Sequence, residues 1–284
     1  MSNTSANSGL RAKAEELRRL HHAPNILVLP NAWEVTTARM LEDMGFLAIA
    51  TSSAAVANSL GYPDGQRIRR HEMLEVVERI ASAVQLPVTA DMEAGYAGSA
   101  VEMEGTAREL IEAGAVGLNL EDSSKDETVL LDLTAYLEKL QAIRAVAKAS
   151  DVAIVINART DAYWWQGAQP GSRLAETVHR ANAFREAGAD CVFVPGLYDP
   201  SDIGHLRLES PGPINILATP KTPPIPELQK LGIAHVSFGS GGYRTAIGAF
   251  RKLVQEAIDS GTYTFMSEIA VSGAQNNALH QRKS

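Results

Sequence analysis

The chain has 284 residues, 45% of them hydrophobic and 21% charged, and a formal net charge of −7. That length can bury a large core and suits an α/β barrel. The acidic balance, with basic residues only in short clusters such as Arg67-Ile68-Arg69-Arg70 and Arg282-Lys283, argues against nucleic acid as a partner.

Met1 to Gly9 is polar and carries no apolar core of a secretory signal. No run approaches the roughly 18 apolar residues of a membrane span, so no membrane partner is expected. Cys191 is the single cysteine, which rules out an intrachain disulfide and fits a reducing, cytoplasmic location. Within Ala189-Asp190-Cys191-Val192-Phe193-Val194 it reads as a buried structural thiol.

Residues 1–22 form a helical lead-in. Short apolar strands then alternate with amphipathic segments. Strand 25–29 precedes helix 33–44, 46–51 precedes 71–84, and 86–91 precedes 100–113. Strand 115–120 precedes 133–149, 152–158 precedes 173–187, and 190–194 precedes 200–207. Strands 213–218 and 234–238 precede 225–231 and 242–258. One junction recurs: Met44-Gly45-Phe46, Ala113-Gly114-Ala115, Ala187-Gly188-Ala189 and Leu231-Gly232-Ile233 each close a helix pattern and open a strand. Glycine suits the left-handed position that ends a helix. Near-continuous apolar strands alternating with helices mean a parallel sheet, and eight such units predict an α/β fold, a (β/α)8 TIM-type barrel with an extra C-terminal helical segment. The expected organisation is one barrel domain over 1–284, with a helical and mobile extension at 259–284 that is polar from Ser272 onward. A doubly wound open sheet would want a Gly-rich turn after an early strand, and Val28-Leu29-Pro30-Asn31-Ala32-Trp33 is not one.

Barrel chemistry lies at the C-terminal strand ends. There the chain carries Asn31, Trp33, Thr51, Ser52, Ser53, Asp91, Glu93, Glu121, Asp122, Asn157, Arg159, Asp161, Thr219 and Ser240. Strand alternation puts Asp91 with Glu93, and Asn119 with Glu121, on common faces. Charge at an otherwise apolar strand end needs a partner. Three oxygen ligands, Asp91, Glu93 and Glu121, without imidazole or thiolate beside them, favour Mg²⁺, with Mn²⁺ as a substitute, over zinc. His235 falls inside the last strand, away from this set. Arg159 can clamp a carboxylate or a developing oxyanion; a structural ion pair with a neighbouring acid is the plainer reading. Thr51-Ser52-Ser53 can offer hydroxyl and backbone donors to an anion. Trp164 and Trp165 line either the mouth or an oligomer contact. No lysine lies inside a strand, against Schiff-base chemistry, and no Gly-x-Ser-x-Gly elbow is present.

Leu29-Pro30-Asn31-Ala32-Trp33, Ala50-Thr51-Ser52-Ser53-Ala54-Ala55, Ser59-Leu60-Gly61-Tyr62-Pro63-Asp64-Gly65, Asp91-Met92-Glu93-Ala94-Gly95-Tyr96, Asn119-Leu120-Glu121-Asp122 and Asn157-Ala158-Arg159-Thr160-Asp161-Ala162 carry a resemblance. The chain from Leu29 to Leu253 resembles the isocitrate lyase / phosphoenolpyruvate mutase superfamily, in its phosphoenolpyruvate mutase-like branch. The resemblance implies Asp91 as the direct Mg²⁺ ligand, with Glu93, Glu121 and Asp64 holding its waters. It implies Ser52 on the substrate carboxylate and backbone amides near Ser53 and Ala54 on the 2-oxygen. Tyr96 and Asn157 join the substrate-binding residues, and Arg159 stabilises developing charge. Arg159 and Ser52 are the expected catalytic residues. Family members act on small 2-oxo or 2-hydroxy acids through enolate-type intermediates and assemble as dimers or tetramers that swap a C-terminal helix.

The departures narrow this expectation. Ser123-Ser124-Lys125-Asp126-Glu127-Thr128-Val129 lacks the loop cysteine that serves lyases of the family as an acid. Val194-Pro195-Gly196 lacks the mutase histidine. The expected activity is therefore a Mg²⁺-dependent lyase cleaving a C–C bond by retro-aldol or decarboxylation chemistry. The alternatives are P–C chemistry of phosphonopyruvate hydrolase or phosphoenolpyruvate mutase type, hydroxymethyl transfer, and a non-catalytic 2-oxo-acid binder. Apolar residues spaced by three and four over 243–258 predict a face packed on the barrel. Phe265, Met266, Ile269 and Val271 lie beyond it, and a homodimer or homotetramer in which this segment contacts or swaps onto a neighbour would cover them.

Overall fold

The computed structural model describes residues 2–123, 129–165 and 171–281. Helix α1 (Ser2–His21) leads into β1 (Leu27–Leu29). Pro30 has no amide hydrogen to donate and interrupts that strand, whose second piece is β2 (Asn31–Ala32). Then follow α2 (Val35–Asp43), β3 (Ile49–Thr51), α3 (Ser53–Ser59), α4 (Arg70–Ala83), β4 (Val88–Asp91), α5 (Ala100–Glu112) and β5 (Gly117–Glu121). The second half carries α6 (Leu133–Ser150), β6 (Val155–Arg159), α7 (Arg173–Glu186), β7 (Cys191–Val194), α8 (Pro200–Glu209), β8 (Ile214–Leu217), α9 (Ile225–Lys230) and β9 (His235–Ser237). Three helices close the chain: α10 (Gly241–Ser260), α11 (Thr264–Ile269) and α12 (Gly273–His280).

All strand pairings are parallel. β1 pairs with β9 (Leu27 opposite His235) and β2 with β3 (Asn31 opposite Ala50), so the ring closes through the chain across Pro30. This is the expected TIM-type barrel, and the open doubly wound sheet is excluded. Asn31, read in the sequence as a mouth residue, staples the closure. Its Oδ1 accepts from Phe238 N and Gly239 N, each at 2.8 Å, and its Nδ2 donates to Thr51 O at 2.7 Å.

The recurring glycine junction is built as expected. At Gly188 (φ 102°) the amide donates to Arg185 O, and Ala189 N donates back to Phe184 O before β7 begins. Only a residue without Cβ takes that left-handed turn at low cost. Between barrel and helices, Met73, Val77, Leu110, Leu140, Ile143 and Phe184 are fully buried. Tyr136 stacks on Phe184 with centroids 4.5 Å apart and donates from Oη to Leu120 O at 2.6 Å. Helix α1 lies across the barrel floor. Leu17 is fully buried and crowds Gly117 so closely that a β-carbon there would sit 2.9 Å from Leu17 Cδ2.

One expectation about the C-terminus needs correction. The apolar face of residues 242–258 does not pack on the barrel: α10 buries none of its residues, and Phe250 and Ile258 are 65% and 73% exposed. Helix amphipathicity specifies that a face needs cover; it does not specify which surface covers it. The tail from Ser272 forms α12 and lies against α2, where Arg39 Nη1 donates to Leu279 O at 3.3 Å. A reciprocal cap explains the helix: Ser272 N donates to Gln275 Oε1 at 2.9 Å and Gln275 N to Ser272 Oγ at 3.2 Å. Among the described residues no helix is long and apolar enough to cross a membrane.

Helix α11 is tied to α10 by Glu256. Its carboxylate accepts from Thr262 Oγ1 (2.6 Å), Thr264 N (2.8 Å) and Phe265 N (2.9 Å), and these donors hold it down to about 2. A depressed carboxylate contributes stability that is present above its ordinary value near 4.5 and lost as pH falls toward 2. Hydrogen exchange at the Thr264 and Phe265 amides should therefore be slower in the native chain than in Glu256→Gln at pH 7. The two should converge, after correction for intrinsic rates, as pH falls from 4.5 to 2. A difference that persists unchanged at the acid end would show that the charge does not hold the turn.

Candidate active site

The mouth is organised around the ends of β3, β4, β5 and β6. Thr51 Oγ1 accepts from Asp91 N at 2.9 Å, which locks the tips of β3 and β4 together. Ser53 then gives both its amide (3.0 Å) and its hydroxyl (2.7 Å) to Asp91 Oδ2. A carboxylate held by two donors at the start of a short helix is positioned before any ligand arrives.

Glu93 reaches this site by another route than strand alternation. β4 ends at Asp91, and Glu93 has a left-handed φ of 50°. Period two therefore does not place it; the turn does. Gln66 (φ 53°) and Tyr96 (φ 51°) are the other left-handed non-glycine residues here. Gln66 N donates to Glu93 Oε2, Tyr96 Oη donates to Glu93 Oε1 at 3.0 Å, and Tyr96 N donates to Gln66 Oε1 at 2.9 Å. Non-glycine residues in this region are strained and persist where surrounding contacts over-determine them. Gly95 (φ 93°) is required within the same turn: a β-carbon there would lie 2.5 Å from Met103 Sδ.

Burial, and then the neighbouring Asp91, push Glu93 up to about 7. Asp64 is raised as well, by burial first and with Asp91 adding to it, although Gly65 N donates to its Oδ1 at 2.9 Å. Burial and Glu93 together push the Tyr96 phenol far above its ordinary range, so it stays a donor. Negative charge gathered in this way, with Asp91 acting on both Glu93 and Asp64 and Asp64 adding to Glu93, is relieved by a cation. The donors are oxygens, although among the described residues no three of these acids bring their ligand atoms within 4.8 Å of one another. By donor chemistry alone they suit a hard divalent cation such as Mg²⁺.

Arg159 forms the other half of the mouth. Its Nη1 lies 2.8 Å from Glu121 Oε2, and its Nε and Nη2 bracket Asp161 at 2.7 and 3.0 Å. Trp164 and Phe193 flank the guanidinium, each ring centroid 5.8 Å away. Burial raises Glu121 well above the ordinary carboxylate range, with Arg159 opposing that rise. Both readings of Arg159 meet here: it is ion-paired, and it faces the cluster that holds Asp91, whose charge adds to its own upward shift.

The remaining expected residues are placed as follows. Ser52 caps α3, its Oγ accepting from Ala55 N at 3.4 Å, and is nearly fully buried. Ser53 gives its amide to Asp91, and Ala54 lies in the first turn of α3. Asn157 sits deeper, donating from Nδ2 to Asn119 Oδ1 at 2.7 Å, so the two strand-face neighbours meet each other. Residues 124–128, which hold most of the loop read for its missing cysteine, lie outside the described residues. Sequence reasoning missed Gln66 and Arg180. Arg180 Nη1 donates to Asp122 Oδ2 at 3.1 Å, while Asp122 Oδ1 accepts from Asp161 N at 2.9 Å. One buried carboxylate thus fixes the segments after β5 and β6. An arginine on the apolar stripe of α7 was the available signal.

The fold is a closed parallel barrel whose acidic residues and ion-paired arginine gather at the C-terminal strand ends. Residues 17–258 match the family described as phosphoenolpyruvate phosphomutase, and the chain belongs to that family. It is 30% identical over 257 residues to 2-methylisocitrate lyase of Aeropyrum pernix, covering 87% of this chain and 80% of that one. It is 30% identical over 218 residues to oxaloacetate decarboxylase of Bradyrhizobium diazoefficiens, covering 74% and 73%. The crystal structure of a Burkholderia cenocepacia protein overlays with a TM-score of 0.90 at 33% identity, covering 98% of each chain. The first two relatives are named for lyase and decarboxylase activities.

Proposed function

We propose that the protein is a Mg²⁺-dependent carbon–carbon lyase acting on a small 2-oxo or 2-hydroxy carboxylic acid, by retro-aldol cleavage or decarboxylation. The observation that carries this reading is that Asp91 held by Ser53, the Glu93 turn bonded to Glu121, and the Arg159 fork on Glu121 stand at neighbouring strand ends of one barrel mouth. Asp91, Glu93, Glu121 and Asp64 would hold the ion. When bound, Mg²⁺ supplies Lewis-acid charge to the substrate's carboxylate and 2-oxygen. Ser52 and the amides at Ser53 and Ala54 would orient the substrate carboxylate and 2-oxygen, alongside Tyr96 and Asn157. In decarboxylation of a 2-oxo acid the pair of the breaking bond forms the new C=C bond and the carbonyl pair moves onto the 2-oxygen. In retro-aldol cleavage of a 2-hydroxy acid a base takes the hydroxyl proton, the 2-oxygen becomes a carbonyl and the pair leaves on the carboxylate-stabilised fragment. In either case the Arg159 guanidinium would meet the enolate charge with preorganised N–H donors. Trp164 and Phe193 would add the attraction of their ring faces to the guanidinium they flank.

A sequence without the loop cysteine favours decarboxylation, because CO₂ leaves without needing a proton. Product analysis tests the reading with oxaloacetate, 2-methylisocitrate, dimethylmalate-type acids and phosphonopyruvate, each with and without Mg²⁺. Metal-dependent C–C cleavage of one of the carboxylic acids is expected. The matched family description favours one competing reading, P–C chemistry. Phosphate release or phosphoryl migration from phosphonopyruvate alone would establish it. Folate-dependent one-carbon transfer would mean hydroxymethyl transfer, and saturable Mg²⁺-dependent binding without turnover would mean a binder.

The same reading includes assembly as a homodimer or homotetramer in the cytoplasm. Ile247, Phe250, Val254 and Ile258 on α10, and Met266 and Ile269 on α11, are all at least 41% exposed. A contiguous apolar face of this kind is rare on a monomer. We assign it to a second copy of the chain. Sedimentation should give a species well above the 30.4 kDa chain mass, and truncation after Gly261 should lower its oligomeric order. A full-length monomer would end this part of the proposal.

A further inference from the structure

At the opposite end of the barrel from the carboxylates, three side chains converge. His21 is the last residue of α1, Cys191 the first of β7 and His235 the first of β9. One donor atom from each lies within 4.8 Å of the other two, and all three residues are at least 97% buried. The imidazole rings meet edge to face, with centroids 5.1 Å apart.

The hydrogen bonding of this cluster is incomplete in a specific way. His21 Nδ1 lies 2.8 Å from Leu17 O, and a carbonyl can only accept, so Nδ1 carries the proton. Burial lowers the affinity of both imidazoles for a second proton. Neutral His21 therefore presents a bare lone pair at Nε2, and that atom has no partner. Neither ring nitrogen of His235 has one either. Buried polar atoms are almost always paired, and three orphans in one place require a reason. A backbone carbonyl that fixes the tautomer and leaves the other nitrogen aimed into a shared space is the usual support of a metal-binding histidine.

We propose that His21, Cys191 and His235 bind one Zn²⁺ ion on the barrel floor and thereby pin α1 to the strand starts. Two imidazole nitrogens and a sulfur form a borderline-soft donor set, which suits zinc and does not suit Mg²⁺. Tetrahedral bonds of about 2.0–2.3 Å imply donor separations of roughly 3.3–3.7 Å, so small side-chain adjustments close the site. On binding, the Cys191 S–H bond breaks, its proton passes to solvent and the sulfur's electron pair goes to the metal. Without an ion, burial pushes that thiol up to about 12, so the empty site is neutral. A cleft of about 240 Å³ lined by His21, His22, Pro24, Arg207, Gln229 and Ile233 borders the cluster on the His21 side. The site is remote from the Mg²⁺ reading of the mouth and stands or falls apart from it.

The test uses the full chain, stripped with chelator and titrated with Co²⁺ in the presence of excess Mg²⁺. A sulfur-to-cobalt charge-transfer band that saturates at one equivalent and is displaced by Zn²⁺ is expected, because no carboxylate site can produce it. The band should be absent in Cys191→Ser. Zinc retained after desalting should fall from one per chain to near zero in Cys191→Ser and His235→Gln. No charge-transfer band in the wild-type chain overturns the proposal whether or not the variants fold. Zinc retained equally by folded Cys191→Ser also overturns it, since the ion would then sit elsewhere.

Discussion

Asp91→Ala should abolish Mg²⁺-dependent binding of a 2-oxo acid such as oxalate or pyruvate while leaving the barrel folded. The expected loss is at least about a hundredfold, on the order of 2.7 kcal/mol. Asp91 stands at the centre of the acidic mouth: its charge contributes to the upward shifts of both Glu93 and Asp64. It also accepts two hydrogen bonds from Ser53, so alanine removes a structural acceptor along with a charge. Asp91→Asn separates the two effects. The amide oxygen can still accept from Ser53, and the charge is gone. Calorimetric titration of Mg²⁺ with oxalate should show the loss in both variants. In metal-free buffer the asparagine variant should be no less stable than the native chain, because a member of a mutually repelling cluster has been neutralised. Full metal-dependent binding in Asp91→Asn would refute the assignment of this residue to the cation.

Arg159→Met carries the second large effect, on stability and turnover together. The guanidinium neutralises Glu121 and Asp161 at 2.7–3.0 Å in a buried setting. Removing one partner of a buried pair leaves charge without compensation, at a cost of about 3–5 kcal/mol. That cost should be largest at neutral and higher pH and shrink on acidification. Glu121 is already raised by burial against the opposing effect of Arg159 and rises further without it. The variant can therefore recover neutrality by taking a proton. Turnover should fall by about 10²–10³, as expected when a donor to developing negative charge is lost. Arg159→Lys should keep most of the stability and still lose most of the turnover, since an ammonium cannot reproduce the fork. Denaturant melts of Arg159→Met across pH, with kcat/KM of both variants, decide the matter. A lysine variant within about tenfold of native turnover would reduce Arg159 to a structural ion pair.

The barrel could be read from the chain because its rules are local. Apolar runs of strand length, helices at period 3.6 and glycines such as Gly188 act within a few residues of one another. Asp91, Glu121 and Arg159 could be placed at the mouth for the same reason, since each is the polar residue that ends an apolar strand. Other features depended on contacts that no local pattern encodes. Asn31 looked like a mouth residue and proved to be a staple to Gly239, 208 positions away. Glu93 kept its place in the site, but a strained turn rather than strand alternation brings it there. Arg180 and Gln66 matter through what they touch after the chain has closed. His21, Cys191 and His235 gave no signal as separate letters, because three elements far apart in sequence must meet at the barrel floor before they form a set. The apolar face of α10 shows the same limit: periodicity states that a face must be buried, and only tertiary and quaternary packing chooses against what, because burial free energy depends on area removed from water and not on the identity of the covering surface.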